Sequence, residues 1–203
     1  MLRWLAAALM VAALAIATVV GVQVFMPADD SSATDQQGAV SIGGPFTLTD
    51  QTGKQVTDAD YRGRFMLVYF GYTFCPDVCP LGLQTIAAAL DELPAEVQDQ
   101  IVPLFITVDP ERDTVPVMRD YVAAFHPRLV GLTGSEAEVT AAVRAYRVYA
   151  SRSSAPAGDD GYLVDHSTFT YLMDRQGRYL AHFGHDTTPD EMAKRMGELI
   201  SAG

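Results

Sequence analysis

The chain carries two cysteines, and they stand with three residues between them in the stretch Gly71-Tyr72-Thr73-Phe74-Cys75-Pro76-Asp77-Val78-Cys79-Pro80. On a helix, positions i and i+4 share a face one turn apart, with Cα atoms ~6 Å from each other, inside the range a disulfide tolerates. Two sulfurs so placed also converge on one ion at the ~2.3 Å typical of a zinc thiolate. The pair can thus be a dithiol, a disulfide or two thirds of a metal site. As a structural staple it is a poor choice, because so short a loop yields only about 2 kcal/mol of chain-entropy stabilisation against ~3 kcal/mol for a fifteen-residue loop. A chain of 203 residues can also build its core without one.

Two thiolates call for a third ligand, and the candidates are His126, His166, His182 and His185. His126 precedes Pro127 after a helical pattern and reads as a surface or cap residue, His182 falls inside a strand pattern, and His185 precedes a helix start. His166 lies where a loop enters the strand of a central hairpin, one expected to pass directly beside the cysteine turn. Its neighbours Asp165 and Ser167 suggest a catalytic triad only superficially, since adjacent strand residues point to opposite faces. Asp77 between the cysteines and Asp109 at the end of an apolar strand are candidates for an outer hydrogen bond or a weak ligand, although Asp commonly caps helices and closes strands. Arg112 and Asp113 read as fixing the turn that follows. Met26, Met118, Met173, Met192 and Met196 are scattered at packing positions and form no metal-binding cluster.

The elements that must hold these residues follow from hydrophobic pattern. Arg64 to Phe70 is short and almost wholly apolar, as a strand buried on both faces should be. Leu81, Leu83, Ile86, Ala87 and Leu90 then recur at helical spacing up to Pro94, and Ile101 to Val108 gives a second buried strand. Pro116 to Phe125 reads as a helix, Leu129 to Thr133 as a third strand. Ser135-Glu136-Ala137-Glu138 is a capping box opening another helix. Ser151 to Gly161 reads as an exposed loop. Thr168 to Met173 and Arg178 to Phe183 form a hairpin about Asp174 to Gly177, and Thr188-Pro189-Asp190-Glu191 caps a last helix. At the amino end, Phe46 to Leu48 and Lys54 to Val56 make a smaller hairpin. The order predicts an α/β fold, a mixed sheet with helices on both faces. Its cysteine pair ends the first central strand and begins a helix, as in thioredoxin-like architectures, where free N–H groups and the helix dipole favour thiolate.

Before the domain, Trp4 to Phe25 is apolar except for Thr18 and Gln23, and ~22 helical residues span ~33 Å, enough to cross a bilayer. Residues 1–26 are therefore expected to be a transmembrane anchor, the rival being a signal peptide cut near Ala15-Ile16-Ala17. Arg3 is the only Lys or Arg before Lys54, and Asp29, Asp30 and Asp35 follow the apolar run. That bias places the domain outside the cytoplasm, in an oxidising compartment. Residues 27–44, rich in Asp, Ser, Ala, Gln and Gly, read as a flexible tether, and 45–203 as the folded domain. A net charge of -11 excludes nucleic acid as a partner and steers the surface toward basic patches on a protein.

The cysteine stretch, Val108-Asp109-Pro110-Glu111-Arg112-Asp113-Thr114, Val130-Gly131-Leu132-Thr133-Gly134, Ala145-Tyr146-Arg147-Val148-Tyr149 and Asp165-His166-Ser167, taken in order, resemble the Sco/SenC family of copper chaperones for cytochrome c oxidase. The resemblance covers about Pro45 to Ala202. It implies a thioredoxin-like three-layer sandwich on an inner-membrane anchor, its domain on the periplasmic face. It also implies copper held by Cys75, Cys79 and His166, and a role in building the dinuclear copper centre of oxidase subunit II, with another periplasmic copper chaperone as a possible donor. The alternative is a thiol-disulfide oxidoreductase that reduces the partner subunit's cysteines. Two thiolates and an imidazole suit three-coordinate Cu(I), or Cu(II) with an added oxygen ligand, whereas zinc usually takes a fourth ligand. Redox thioredoxins carry a cis-Pro beside their cysteines, and this chain has no proline between Pro156 and Pro189. A peroxiredoxin-like reading, suggested by Phe46 to Asp50, is disfavoured by the spacing of the cysteines.

Overall fold

The structure, a computed structural model, describes residues 41–153 and 161–202. The expected anchor, the tether up to residue 40 and the middle of the loop from Ser151 to Gly161 lie outside these residues. Among the described residues no helix is long and apolar enough to cross a membrane.

The apolar run at 64–70 forms strand β3, Phe65–Gly71, with every residue buried. Its side chains alternate between two cores, as the period of two along a strand requires. Phe65, Leu67 and Tyr69 pack with Leu83, Ile86 and Leu90 of helix α1, Val78–Asp91. Met118 and Val122 of α3, Val115–Ala123, and Met192, Met196 and Ile200 of α5, Pro189–Ala202, complete that side. Met66, Val68 and Phe70 face the other way, onto Val139 and Ala142 of α4, Glu136–Ala145. Each fully buried aliphatic or aromatic side chain contributes roughly 1.5–3 kcal/mol of hydrophobic stabilisation. A strand filled this way becomes the spine of the domain.

Around β3 the sheet runs in the order β2-β1-β5-β4-β3-β8-β9. Here β1 is Thr47–Asp50, β2 Gln55–Thr57, β4 Ile101–Thr107, β5 Val130–Thr133, β8 Thr170–Met173 and β9 Tyr179–Phe183. Strands β3, β4 and β5 are parallel, while β1, β8 and β9 pair antiparallel to their neighbours. This is the expected mixed sheet with a helical layer on each face. Both expected caps are present: Ser135 Oγ accepts from the Glu138 N–H while Glu138 accepts from the Ser135 N–H, and Thr188 with Glu191 repeats the exchange. In the β8–β9 turn Gly177 takes a φ of 77° and the Asp174 carboxylate accepts the N–H groups of Gln176 and Arg178. Ahead of β1, Ile42 packs on the second core and the Gly43 N–H donates to the Ala145 carbonyl.

The fold departs from the sequence pattern in one place that matters. Ala150–Ser153, partly assigned to the exposed loop, is a strand, β6, paired antiparallel with β7, Leu163–His166. His166 therefore ends a separate two-stranded ribbon rather than entering the central hairpin. Arg152 and Ser151 are exposed and the flanking residues half-buried, so β6 carries no apolar alternation to betray it. A short helix after Pro94, α2, Ala95–Gln98, is likewise without buried residues.

The parallel strands place the site. β3 and β4 run side by side to Gly71 and Thr107, and the loops leaving their carboxyl ends carry Cys75 and Asp109 to Asp113. Crevices beyond the carboxyl ends of parallel strands are where α/β sheets bind ligands.

Candidate metal centre

After Gly71 the chain turns tightly, the Cys75 N–H reaching back to the Tyr72 carbonyl at 3.2 Å, and α1 begins at Val78. Cys75 thus sits just before the helix and Cys79 in its first turn. The Cys79 N–H, free of any intrahelical partner at that end, points at Cys75 Sγ at 3.4 Å. Cys75 is 7% exposed and Cys79 fully buried, and both are free thiols.

His166 closes the group. Its Nε2 lies 3.2 Å from Cys79 Sγ, and the ligand atoms of Cys75, Cys79 and His166 all fall within 4.8 Å of one another. Its Nδ1 lies 2.9 Å from the Ser167 carbonyl, an oxygen that only accepts. Nδ1 therefore donates to that carbonyl and Nε2 faces the sulfurs, the arrangement in which a second bond orients a metal-binding imidazole. The Tyr72 ring meets the His166 ring edge-on at 5.8 Å, and the Tyr72 hydroxyl accepts the Val164 N–H at 3.3 Å. A cleft of about 340 Å³ opens onto the group between the cysteine turn and the ribbon, lined by Tyr72, Cys75, Pro76, Val78, Val164 and His166.

The two sulfurs are electrostatically unequal. The Cys79 thiol hydrogen-bonds to Cys75 and holds it well below the ordinary thiol range, outweighing burial, with His166 and the N–H groups of Asp77 and Cys79 adding to the effect. Cys79 is pushed up by that same bond and by its burial. The coupling thus favours charge on Cys75 and the proton on Cys79.

The other sequence candidates lie apart from this group. Asp77 is exposed at the N-cap position of α1, its side chain making no cap bond, and it serves Cys75 through its backbone N–H. Asp109 is buried, with its carboxylate accepting from Arg112 Nε and from the Tyr162 hydroxyl at 2.7 Å. His126 is buried, not a surface residue: its Nδ1 accepts the Arg128 N–H and its Nε2 lies 3.4 Å from Asp91. His182 is exposed against the Tyr179 hydroxyl, and His185 is exposed. None of these three joins the cluster. Met118, Met173, Met192 and Met196 are buried packing residues, and Met26 lies outside the described residues. Sequence reasoning missed the reach of Arg112 and Asp113. The signal was there in a buried strand followed at once by two Asp and an Arg within five positions, but their partners are far off in the chain.

The protein-family model described as SCO1/SenC matches residues 34–201. The chain belongs to the SCO1/SenC family. Among SCO1/SenC relatives, the human mitochondrial SCO1 homolog is 45% identical over 166 residues, covering 81% of this chain and 52% of the human protein, so the chain spans about half of that relative's length. Arabidopsis thaliana ScoI, solved with copper bound, is 40% identical with a TM-score of 0.74, covering 80% of this chain and all of that one. BsSco, described as a Sco-family cytochrome c oxidase assembly protein with a disulfide switch, is 25% identical with a TM-score of 0.62, over 81% of this chain and 96% of its own. The fold and sequence of a SCO1/SenC domain thus extend over the whole described sandwich.

Proposed function

We propose that this SCO1/SenC protein carries one copper ion on Cys75, Cys79 and His166 and supports assembly of the dinuclear copper centre in subunit II of cytochrome c oxidase. The observation that carries the reading is the convergence of two sulfurs and one imidazole nitrogen within 4.8 Å, the ring oriented by its Nδ1 bond to the Ser167 carbonyl. Soft sulfur with one imidazole suits Cu(I), and the open cleft leaves room for the extra oxygen ligand that Cu(II) takes. A metal cargo must leave again, and a site with three donors beside a cleft can be entered by a partner's ligands. The copper-bound Arabidopsis relative and the oxidase-assembly role of BsSco support the same reading. The apolar run at 4–25, with Arg3 before it and acidic residues after it, supports an inner-membrane anchor and a periplasmic domain, where another copper chaperone would load the site.

The unequal sulfurs favour a second activity on the same residues. The Cys75 thiolate attacks one sulfur of a partner disulfide, forming a mixed disulfide and expelling the first partner thiolate. Cys79 then gives up its proton and attacks Cys75 Sγ, expelling the second. Two electrons pass to the partner and a Cys75–Cys79 disulfide remains.

Copper stoichiometry of the full-length reduced protein tests the first reading. About one ion per chain is expected, lost in Cys75→Ala and Cys79→Ala and weakened by about tenfold or more in His166→Ala, the scale of losing support at a metal site. Tight copper retained by His166→Ala overturns the ligand assignment. If His166→Ala also leaves oxidase assembly intact, reduction of the partner's cysteines is the principal work.

A further inference from the structure

The thiols and the imidazole stand on structures that share no strand pairing. Cys75 and Cys79 follow β3 of the main sheet, whereas His166 ends a ribbon that is not hydrogen-bonded into that sheet. Something other than the sheet must set the distance between them. Tyr72 spans part of the gap, its hydroxyl accepting the Val164 N–H, and we infer that the loop Asp109 to Asp113 completes the device: a template that holds the cysteine turn through Thr73 and Phe74 and the histidine ribbon through Tyr162, while touching none of the three ligands. The inference rests on the copper reading given above for its consequence, and on contacts of the chain alone for its geometry.

Asp113 holds the cysteine side. It is fully buried and forms no ion pair among the described residues, yet its carboxylate is satisfied. It accepts the Thr73 N–H at 3.1 Å, the Thr73 hydroxyl at 2.6 Å and the Thr107 hydroxyl at 2.5 Å. Thr73 lies two residues before Cys75, and Thr107 ends β4. The Asp113 carbonyl accepts from the Thr133 hydroxyl at the end of β5, and its N–H donates to the Asp109 carbonyl. One buried residue thereby ties the cysteine turn to the ends of two other strands. A buried carboxylate that needs three donors tolerates little movement of any of them, since each lost bond leaves a desolvated oxygen.

Asp109 and Arg112 hold the histidine side. Asp109 accepts from Arg112 Nε and from the Tyr162 hydroxyl, and its own N–H donates to Thr107 Oγ1 at 2.9 Å. Arg112 Nη1 donates to the Tyr162 carbonyl at 3.0 Å. The guanidinium lies 3.9 Å from the centre of the Tyr162 ring and 4.9 Å from that of Phe74, the residue before Cys75. Tyr162 immediately precedes β7, four residues before His166. Arg112 Nη2 is buried without a hydrogen-bond partner. An arginine that leaves a buried N–H unused is placed by its ring contacts, and those rings belong to the two segments whose separation matters.

A template differs from a merely stabilising contact in being coupled to His166. Two measurements on the full-length reduced protein separate them, using Arg112→Gln and, should that variant fail to fold, Tyr162→Leu. In the copper-free protein, amide exchange across Leu163 to His166 should quicken by about tenfold while β3 amides keep their native rates, because the ribbon has lost the hold of Arg112 on Tyr162 and keeps only that of Tyr72 on Val164. With Cu(I), the penalty of His166→Ala, about tenfold or more in the native background, should shrink to less than about threefold in the variant background, and the imidazole contribution to the copper X-ray absorption spectrum should fall. Arg112→Lys should not restore it, since an ammonium offers neither the planar stack nor the paired donors. Native exchange rates in the ribbon overturn the template. So does an unchanged His166 penalty. If the native chain itself shows no His166 penalty, the copper reading fails, and the exchange rates still decide the template.

Discussion

Replacing Gly71 with alanine should damage fold and site together. Gly71 ends β3 directly beneath the cysteines, and the reason for glycine there is space, since its φ is not among the positive ones. A Cβ at that position would stand 2.8 Å from Cys79 Sγ and 2.8 Å from Phe105 Cε2, with Phe105 Cζ at 3.4 Å. Ordinary carbon contacts are at ~3.5–4.0 Å, so both neighbours must retreat by roughly 0.7 Å or more. Neither has room. Phe105 is fully buried between the rings of Tyr69 and Tyr121, and Cys79 is locked into the first turn of α1. Overpacking of a dense core costs about 1–3 kcal/mol, and two simultaneous collisions put Gly71→Ala near about 3 kcal/mol. With a urea slope of about 2 kcal/mol/M, the unfolding midpoint of the reduced, copper-free protein should fall by about 1.5 M. Copper affinity should fall by about tenfold as Cys79 Sγ is driven off its position. Adding Phe105→Leu removes the ring collision, so it should recover part of the stability and little of the copper affinity. A midpoint equal to that of the native chain refutes the packing argument, and lost stability with unaltered copper affinity refutes the claim that Gly71 sets Cys79.

The lowered Cys75 means that its charged form prevails above that lowered value, so the folded, reduced protein should show one thiolate per chain by ultraviolet absorbance well below the ~8.5 of a free thiol. Cys79→Ala, which removes the proton shared with Cys75, should move the transition back up; a transition near 8–9 in the native protein counts against the shared bond. Because the unfolded chain then binds one proton more than the folded one, stability should climb with pH from the lowered value toward the free-thiol range, and be lost on acidification through it. Above that range the raised Cys79 works in the opposite direction. Ser135→Ala should cost about 1 kcal/mol by breaking the capping box of α4, with copper binding unaltered. Unchanged urea unfolding of that variant would show that the cap is idle.

The legible parts of this molecule are those whose cause is local. β3 and β4 declare themselves because burial on both faces leaves a short unbroken apolar run, and α4 because Ser135 and Glu138 satisfy each other within one turn. The cysteine pair is legible because the strand before it and the helix after it are. β6 was hidden for the converse reason: exposed side chains leave no period to read, and backbone pairing with β7 is what makes it a strand. The contacts of Asp113 with Thr73 and of Arg112 with Tyr162 bridge 40 and 50 positions of chain, so no window of sequence contains them. His126 shows the same limit in miniature, its burial depending on Asp91 and on a backbone N–H beyond the intervening Pro127.

The placement of His166 on a ribbon outside the main sheet has a consequence for how such a molecule can change its trade. The sulfurs depend on the spine of the fold, so losing them means disturbing the core. The nitrogen depends on four paired positions, one loop and the Tyr72 contacts, so it can be altered with less disturbance of the core than the sulfurs can. The imidazole and the dithiol are thereby held by mechanically distinct parts of one scaffold, and substitutions confined to the ribbon act on the first without rebuilding the strand that carries the second.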